Sequence, residues 1–321
     1  MNFDMRVKLY MVVLFVGLQQ NLFSQNFDIK EGTKRIVFIG NSITYAGTYV
    51  SCIDAYFSML HPQKKFEIIN LGLPSETVSG LSEPNHAKGA FPRPILNERL
   101  DRLLIQTKPD LVFACYGMND GIYLPFDKQR FEKFKNGIHK LHQAVTDYGA
   151  EIVHITPPVF DGDDNNSYAR VLDHYTDWLI EQRKTLQWNV VDIHYPMKKE
   201  LESQRADNPT FAFAKDGIHP NEEGHFLMAK NVLIYLGARE LDQSDTSIQN
   251  LIFSYPDGDQ IFDLVKKRQQ LLKDAWLTFI GHQRPKMNTG LPLEEAKRKA
   301  EKLKLNIETL VKKYKSTQVT P

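Results

Sequence analysis

Five apolar, β-branched runs recur along the chain, Arg35 to Ile39, Phe66 to Leu71, Asp110 to Tyr116, Glu151 to Thr156 and Asn189 to Ile193. Between and after them lie amphipathic stretches with helical spacing, Thr48 to Leu60, Pro94 to Gln106, Lys128 to Tyr148, Tyr168 to Leu186 and Asn221 to Gly237. Strands that alternate with helices need right-handed crossovers, which produce a parallel sheet covered on both faces. Near-continuous apolar strands agree with burial on both sides. The expectation is an α/β fold, a three-layer α/β/α sandwich around a five-stranded, mostly parallel sheet.

After Gly237 the pattern changes. A polar stretch from Asp242 to Gln249 precedes a helix near Gln260 to Ile280 and a charged helix from Leu293 to Tyr314, joined by a turn-rich loop that contains Gly281, His282, Gln283, Arg284 and Pro285. Too few core positions occur here for an independent domain. Residues 241–321 are therefore expected to form a helical extension packed on a domain of residues 26–240. Lys266 to Pro321 carries 14 Lys and Arg against 5 Asp and Glu, whereas the whole chain has a formal net charge of only +1. The overall balance gives no reason to expect nucleic acid as a partner, and the tail's lysines are spaced like a solvated helix face.

Arg6 and Lys8, then the apolar stretch Leu9 to Leu18, then a polar segment ending near Ser24 and Gln25, follow the order of a secretory signal. The apolar part is short for a membrane span. Residues 1–25 are read as a signal peptide, the mature chain as secreted or periplasmic in a bacterium-like cell, and no stable membrane insertion is expected after cleavage. Cys52 and Cys115 are the only two cysteines, and both fall in apolar elements, so two separate buried thiols are expected rather than a bridge.

Chemistry-bearing residues gather where the strands end. Ser42 follows the first run within Gly40-Asn41-Ser42-Ile43-Thr44 and precedes a helical stretch, so its hydroxyl lies at the carboxyl edge of the sheet, where such folds bind ligands. Asp216-Gly217-Ile218-His219-Pro220 lets an aspartate turn back to imidazole Nδ1, which leaves Nε2 free to act as base for a weak serine nucleophile. Gly117-Met118-Asn119-Asp120 follows the third run and can aim the Asn119 amide at a developing oxyanion. Gly72, which closes the second run, can bring a backbone N–H close to a ligand without a Cβ in the way. Each feature alone also reads as an ordinary turn or helix cap.

Taken in order, Gly40-Asn41-Ser42-Ile43, Gly72, Gly117-Met118-Asn119-Asp120 and Asp216-Gly217-Ile218-His219 resemble the four blocks of the SGNH (GDSL-like) hydrolase superfamily. The resemblance covers roughly residues 34–238. It implies the flavodoxin-like SGNH fold, with Ser42 as nucleophile, His219 as base and then acid, and Asp216 as the orienting carboxylate. Ser42 N–H, Gly72 N–H and the Asn119 amide would form the oxyanion hole. That family usually has aspartate where this chain has Asn41, a departure not read as a loss of activity. The tail with its Gly281-His282-Gln283-Arg284-Pro285 is similar to secreted bacterial carbohydrate esterases of this superfamily. The resulting expectation is an enzyme that hydrolyses acyl esters, acetyl foremost, on a carbohydrate or other small ester. A lipolytic or thioester hydrolase of the same fold and a noncatalytic carbohydrate-binding protein are the alternatives.

No cofactor or metal is expected. Asp161 to Asn165 departs from a calcium loop at Asn166 and Leu172 and reads as a solvated turn. His139 and His142 lack the glutamate of a zinc-protease helix and read as solvent-facing or core-satisfied. Asn41, together with Glu76, His86 and Arg93 in the long polar loop from Ser75 to Pro94, and Tyr123 after the third run, are candidate substrate contacts. Tyr116, Tyr123 and Phe126 could offer sugar-stacking faces or simply pack beneath a loop.

Overall fold

The computed structural model describes residues 27–162, 167–242 and 246–318. The expected signal peptide, and most of the Asp161 to Asn165 turn, lie outside the described residues. The sheet strands are β1 (Arg35–Gly40), β2 (Glu67–Asn70), β3 (Leu111–Cys115), β4 (Glu151–Ile155) and β5 (Asn189–Val191), in the spatial order β2-β1-β3-β4-β5. All pairings are parallel, with Phe38 beside Phe113 and Phe113 beside Val153.

Strand alternation sends successive side chains to opposite faces. Phe38 stacks on Phe113 at 4.8 Å and meets Tyr49 of α2 (Thr48–Leu60), whereas His154, one position further along β4 than Val153, lies against His142 of α4 (Lys128–Tyr148). Helices therefore cover both faces. On one, α2 packs against α7 (Glu222–Tyr235); on the other, α3 (Leu100–Thr107) packs against α4. The fourth crossover helix, α5 (Tyr168–Thr185), lies against β5. The expected three-layer sandwich is the fold observed.

Two local expectations need correction. The helix expected from Pro94 starts only after a 3₁₀ turn at Leu96–Glu98, because Ile95 is extended and bridges to Thr77. Thr77 N donates to Pro94 O at 3.0 Å and Leu96 N to Thr77 O at 3.0 Å, so a tertiary pairing displaces the helix start. The second is α6 (His194–Asp207), which follows β5 and was not expected. It buries only His194, Met197 and Leu201, too narrow an apolar stripe to stand out among its charged residues, and Pro196 sits in the first turn, where a missing N–H costs nothing.

The carboxyl-terminal segment forms α8 (Ile248–Phe253), α9 (Gly258–Ile280) and α10 (Leu293–Gln318). Helix α9 packs on α2 and on β2, and α10 packs on α9. At the β2 edge Gln269 Nε2 donates to Ile68 O at 3.0 Å, while Arg268 and Gln269 hold the buried Asp54 of α2. A sheet edge that would otherwise offer free carbonyls to another chain is thus covered. Cys52 and Cys115 are separate buried thiols, and burial pushes the Cys115 pKa up to about 12.

Candidate active site

Gly40 ends β1 and helix α1 (Ser42–Ala46) starts two residues later, a reversal that leaves no room for a side chain. A Cβ at Gly40 would overlap the Thr44 hydroxyl. Asn41 is the helix cap: it is buried, and its Oδ1 accepts from Ile43 N at 3.0 Å. Its expected place at a substrate is therefore corrected, since the amide shapes the turn that presents Ser42. Ser42 N–H, at the first position of the helix, has no hydrogen-bond partner among the described residues.

The loop from Phe211 to Pro220 brings the second group in. Asp216 Oδ1 accepts from Ile218 N at 2.9 Å and His219 N at 2.8 Å, which folds the carboxylate back over the turn, and Gly217 supplies the φ of +80° that this path requires. The other oxygen, Oδ2, lies 2.6 Å from His219 Nδ1, and His219 Nε2 lies 2.8 Å from Ser42 Oγ. Burial works against ionisation of Asp216, but the bonds from the His219 ring and the two N–H groups outweigh it and hold its pKa below the ordinary carboxylate value. An ionised Asp216 accepts a hydrogen bond from Nδ1–H, keeping the proton on Nδ1 and leaving Nε2 to accept from the Ser42 hydroxyl. The side chains of His219 and Asp216 are 49% and 55% exposed, so this line of three residues lies on an open surface.

Asp161 braces that loop from beneath. Its carboxylate is fully buried, accepts from Arg205 and from Ala214 N at 3.1 Å, and its own N–H donates to Gly217 O at 2.8 Å. The expectation of a solvated turn is corrected at this residue, because the partner is Arg205 of α6, the helix that sequence periodicity concealed.

Asn119 sits after β3, buried, with its amide clamped at both ends. Tyr123 OH donates to Oδ1 at 2.8 Å and Nδ2 donates to Glu76 O at 3.1 Å. These partners fix which end is nitrogen, and only one of its two hydrogens has a protein acceptor. The β3 loop is itself anchored: Tyr168 OH donates to Met118 O at 2.8 Å, and Asp120 accepts from Gly117 N, Val78 N and Ser79 N, each at 2.9 Å. Asp120 thereby joins the loops that follow β2 and β3. Nothing in the sequence marked it beyond its place in a turn.

Gly72 lies where expected, and a Cβ there would overlap the Tyr45 backbone nitrogen. Its N–H donates to Asn70 Oδ1 at 2.9 Å, and Asn70 Nδ2 donates to Thr44 O at 2.6 Å. Of the three expected oxyanion donors, Gly72 N–H is fully committed within the chain, Asn119 Nδ2 keeps one of its two hydrogens free, and Ser42 N–H has no partner among the described residues.

The polar loop after β2 differs most from expectation. Glu76 and Arg99 are both completely buried and paired through two bonds of 2.7 and 2.8 Å. Tyr116 OH adds a third bond to Glu76 at 2.6 Å, and Arg99 also donates to Leu71 O at 2.8 Å. Glu76 and Tyr116 are thus scaffold beneath the site, not substrate surface. Arg93 is buried too, bonded twice to Glu83 at 2.7 Å, with its guanidinium 5.3 Å from the Tyr123 ring centre. His86 Nδ1 lies 3.3 Å from Glu83, and burial followed by the charge of Arg93 lowers its pKa. Phe126 is exposed against His174 and Phe131, whereas the Tyr123 hydroxyl and the Glu76 backbone carbonyl both bond Asn119. His139 and His142 pack around Trp188, with His142 Nδ1 3.0 Å from His154 Nε2. Among the described residues no group of three or more His, Cys, Asp and Glu could hold a metal ion, and no helix is long and apolar enough to cross a membrane.

A serine, a histidine and a carboxylate in line at the carboxyl edge of a parallel sheet are the equipment of a hydrolase that works through an activated hydroxyl. The chain belongs to the GDSL-like Lipase/Acylhydrolase family, whose model matches residues 38–227, more than half of its length. The protein is a carboxylic ester hydrolase of the SGNH kind. It is 22% identical over 225 residues to an acetylxylan esterase of Geobacillus stearothermophilus, a match covering 64% of this chain and 94% of that protein. The crystal structure of Axe2, an acetylxylan esterase from the same organism, superposes with a TM-score of 0.52 at 22% identity, covering 66% of this chain and 97% of that one. A gut microbial diltiazem-metabolizing enzyme superposes with a TM-score of 0.54 at 24% identity, and here the match covers 67% of this chain but only 49% of the other.

Proposed function

We propose that the protein is an exported serine esterase that removes a small acyl group, acetyl foremost, from a carbohydrate. The observation that carries this reading is the unbroken line from Asp216 through His219 to Ser42, closed at 2.6 and 2.8 Å. Ser42 Oγ attacks the ester carbonyl while His219 Nε2 takes its proton. The carbonyl oxygen becomes an oxyanion facing Ser42 N–H and the free N–H of Asn119; Gly72 N–H joins them once its bond to Asn70 is shared or released. As the tetrahedral intermediate collapses, the C–O bond to the sugar breaks and the leaving oxygen takes the proton from His219. Water, deprotonated by His219, then attacks the acyl-enzyme and releases acetate and Ser42.

The carbohydrate assignment draws support from the acetylxylan esterase relative and from the openness of the site, where a polymer can lie across half-exposed His219 and Asp216. Export rests on the charged, apolar and polar order of residues 1–25. The test is acetate release from a panel of acetylated polysaccharides, run beside 4-nitrophenyl acetate and a long-chain nitrophenyl ester. Preference for the long chain would replace this reading with a lipolytic one. No release from any ester, with no covalent labelling of Ser42 by a serine-directed phosphonate, would replace it with a noncatalytic role.

A further inference from the structure

The family match ends at residue 227, yet two basic side chains of the carboxyl-terminal extension reach the backbone of the catalytic loops. Lys273 of α9 is buried; its Nζ donates to Tyr45 O at 2.5 Å and lies 3.8 Å from the Tyr45 ring centre. Tyr45 belongs to α1, the turn that presents Ser42, and its backbone nitrogen is the atom packed against Gly72. Arg284, between α9 and α10, donates from Nε to Pro74 O at 3.0 Å and stacks over Phe91. Pro74 is followed by Ser75, held at a φ of +70°, and then by Glu76, whose carbonyl holds the Asn119 amide. Burial lowers the Lys273 pKa to about 8, with Asp274 opposing the shift.

We propose that Lys273 and Arg284 are positioning residues for ester hydrolysis, because they hold the Tyr45 and Pro74 carbonyls and so set the spacing between the nucleophile turn and the oxyanion loop. The inference rests on the esterase reading above. It makes the extension a working part of the active site. A buried ammonium donating to a carbonyl is a strong, directional contact. The two segments it aligns meet at Gly72 with no slack, so a shift of α1 moves Ser42 N–H relative to Asn119. Misplacement by about 1 Å can cost roughly a hundredfold in rate.

Lys273→Met and Arg284→Met, made in the full chain, test this against Arg268→Met, which cuts another tie between the extension and α2, the bridge to Asp54; Arg268 bonds neither loop. With 4-nitrophenyl acetate, Lys273→Met and Arg284→Met are expected to lower kcat roughly tenfold or more with KM changed less than about twofold. Arg284→Lys, which keeps a donor, should recover most of the loss. Arg268→Met should lower the melting temperature at least as much and leave kcat within about twofold. Amide hydrogen exchange gives a readout that needs no turnover: residues 42–48 and 73–77 should exchange faster in the Lys273 and Arg284 variants only. Wild-type kcat in both variants, or unchanged exchange in those segments, would overturn the proposal. An inactive wild type would remove the esterase reading instead, and the exchange data would then decide the clamp alone.

Discussion

Asp216 matters for the tautomer it imposes on His219 as much as for its charge. Asparagine in its place would donate to Nδ1, leave the proton on Nε2 and deny Ser42 its base. We expect Asp216→Asn to lower kcat by roughly 10⁴-fold with Tm nearly unchanged, because the side chain is 55% exposed. Asn119→Ala should cost roughly 10²–10³ in kcat, the usual loss of one oxyanion donor. Tyr123→Phe removes one of the two bonds that hold the amide's orientation, worth about 1 kcal/mol, so a drop of about fivefold is expected. Steady-state kinetics on a short nitrophenyl ester separates the three, and an Asn119→Ala enzyme with wild-type kcat would exclude the amide from the oxyanion hole. Ser42, Asp216, Gly217 and His219 were legible in sequence because their partners lie within a turn or at a strand end. Asn41 was legible only as a departure from the family pattern, and its capping bond two residues away explains why it sits there.

Among elements, the loop after β2 shows most clearly how a polar stretch can be interior. Glu76, Arg99 and Tyr116 come from three segments and close a fully buried ionic group beneath Asn119. Arg99→Met would strand the Glu76 carboxylate, a change expected to cost about 3–5 kcal/mol in urea denaturation. Replacing both charges, as Glu76→Gln with Arg99→Met, should recover most of that loss. If the single variant unfolds within about 1 kcal/mol of wild type, the pair does not hold this loop. The boundaries of α2 and α4 and of the central strands were readable from hydrophobic period, since each has a broad apolar face. Helix α6 was not, having three buried positions and a proline in its first turn, and neither was the start of α3, which a backbone bridge to Thr77 decides.

For the whole molecule, buried histidines contribute strongly to how stability depends on pH. Burial lowers the pKa of His154 to about 3 and of His142 and His225 to about 4, with neighbouring histidines adding to each shift. In the unfolded chain each would titrate near the ordinary value of about 6.5. Below that pH the unfolded state binds protons that the native state refuses, so stability is full above about 6.5 and falls as pH drops toward 4 and 3. Each deeply buried histidine contributes up to about 1.4 kcal/mol per pH unit in that window, and half-buried His142 less. Melting curves between pH 7 and pH 4 should therefore show a steady fall in Tm. His225→Phe, which keeps the stack on Tyr49, should flatten it; an unchanged slope in that variant would exclude His225 as a contributor.

The sequence by itself determined the layer order and the residues able to do acyl chemistry, because strand alternation, helical period and turn chemistry are local and leave a periodic trace. Tertiary structure decided which polar groups face inward and what they hold. Glu76 meets Arg99 across 23 residues and Lys273 meets Tyr45 across 228, and composition cannot distinguish such partners from solvated charges. A charge becomes interior only where packing removes its water and another chain segment replaces it. That is why the serine and its base could be read from the chain, while the scaffold that aims Asn119, and the reach of the carboxyl-terminal helices to the nucleophile turn, appeared only in the folded molecule.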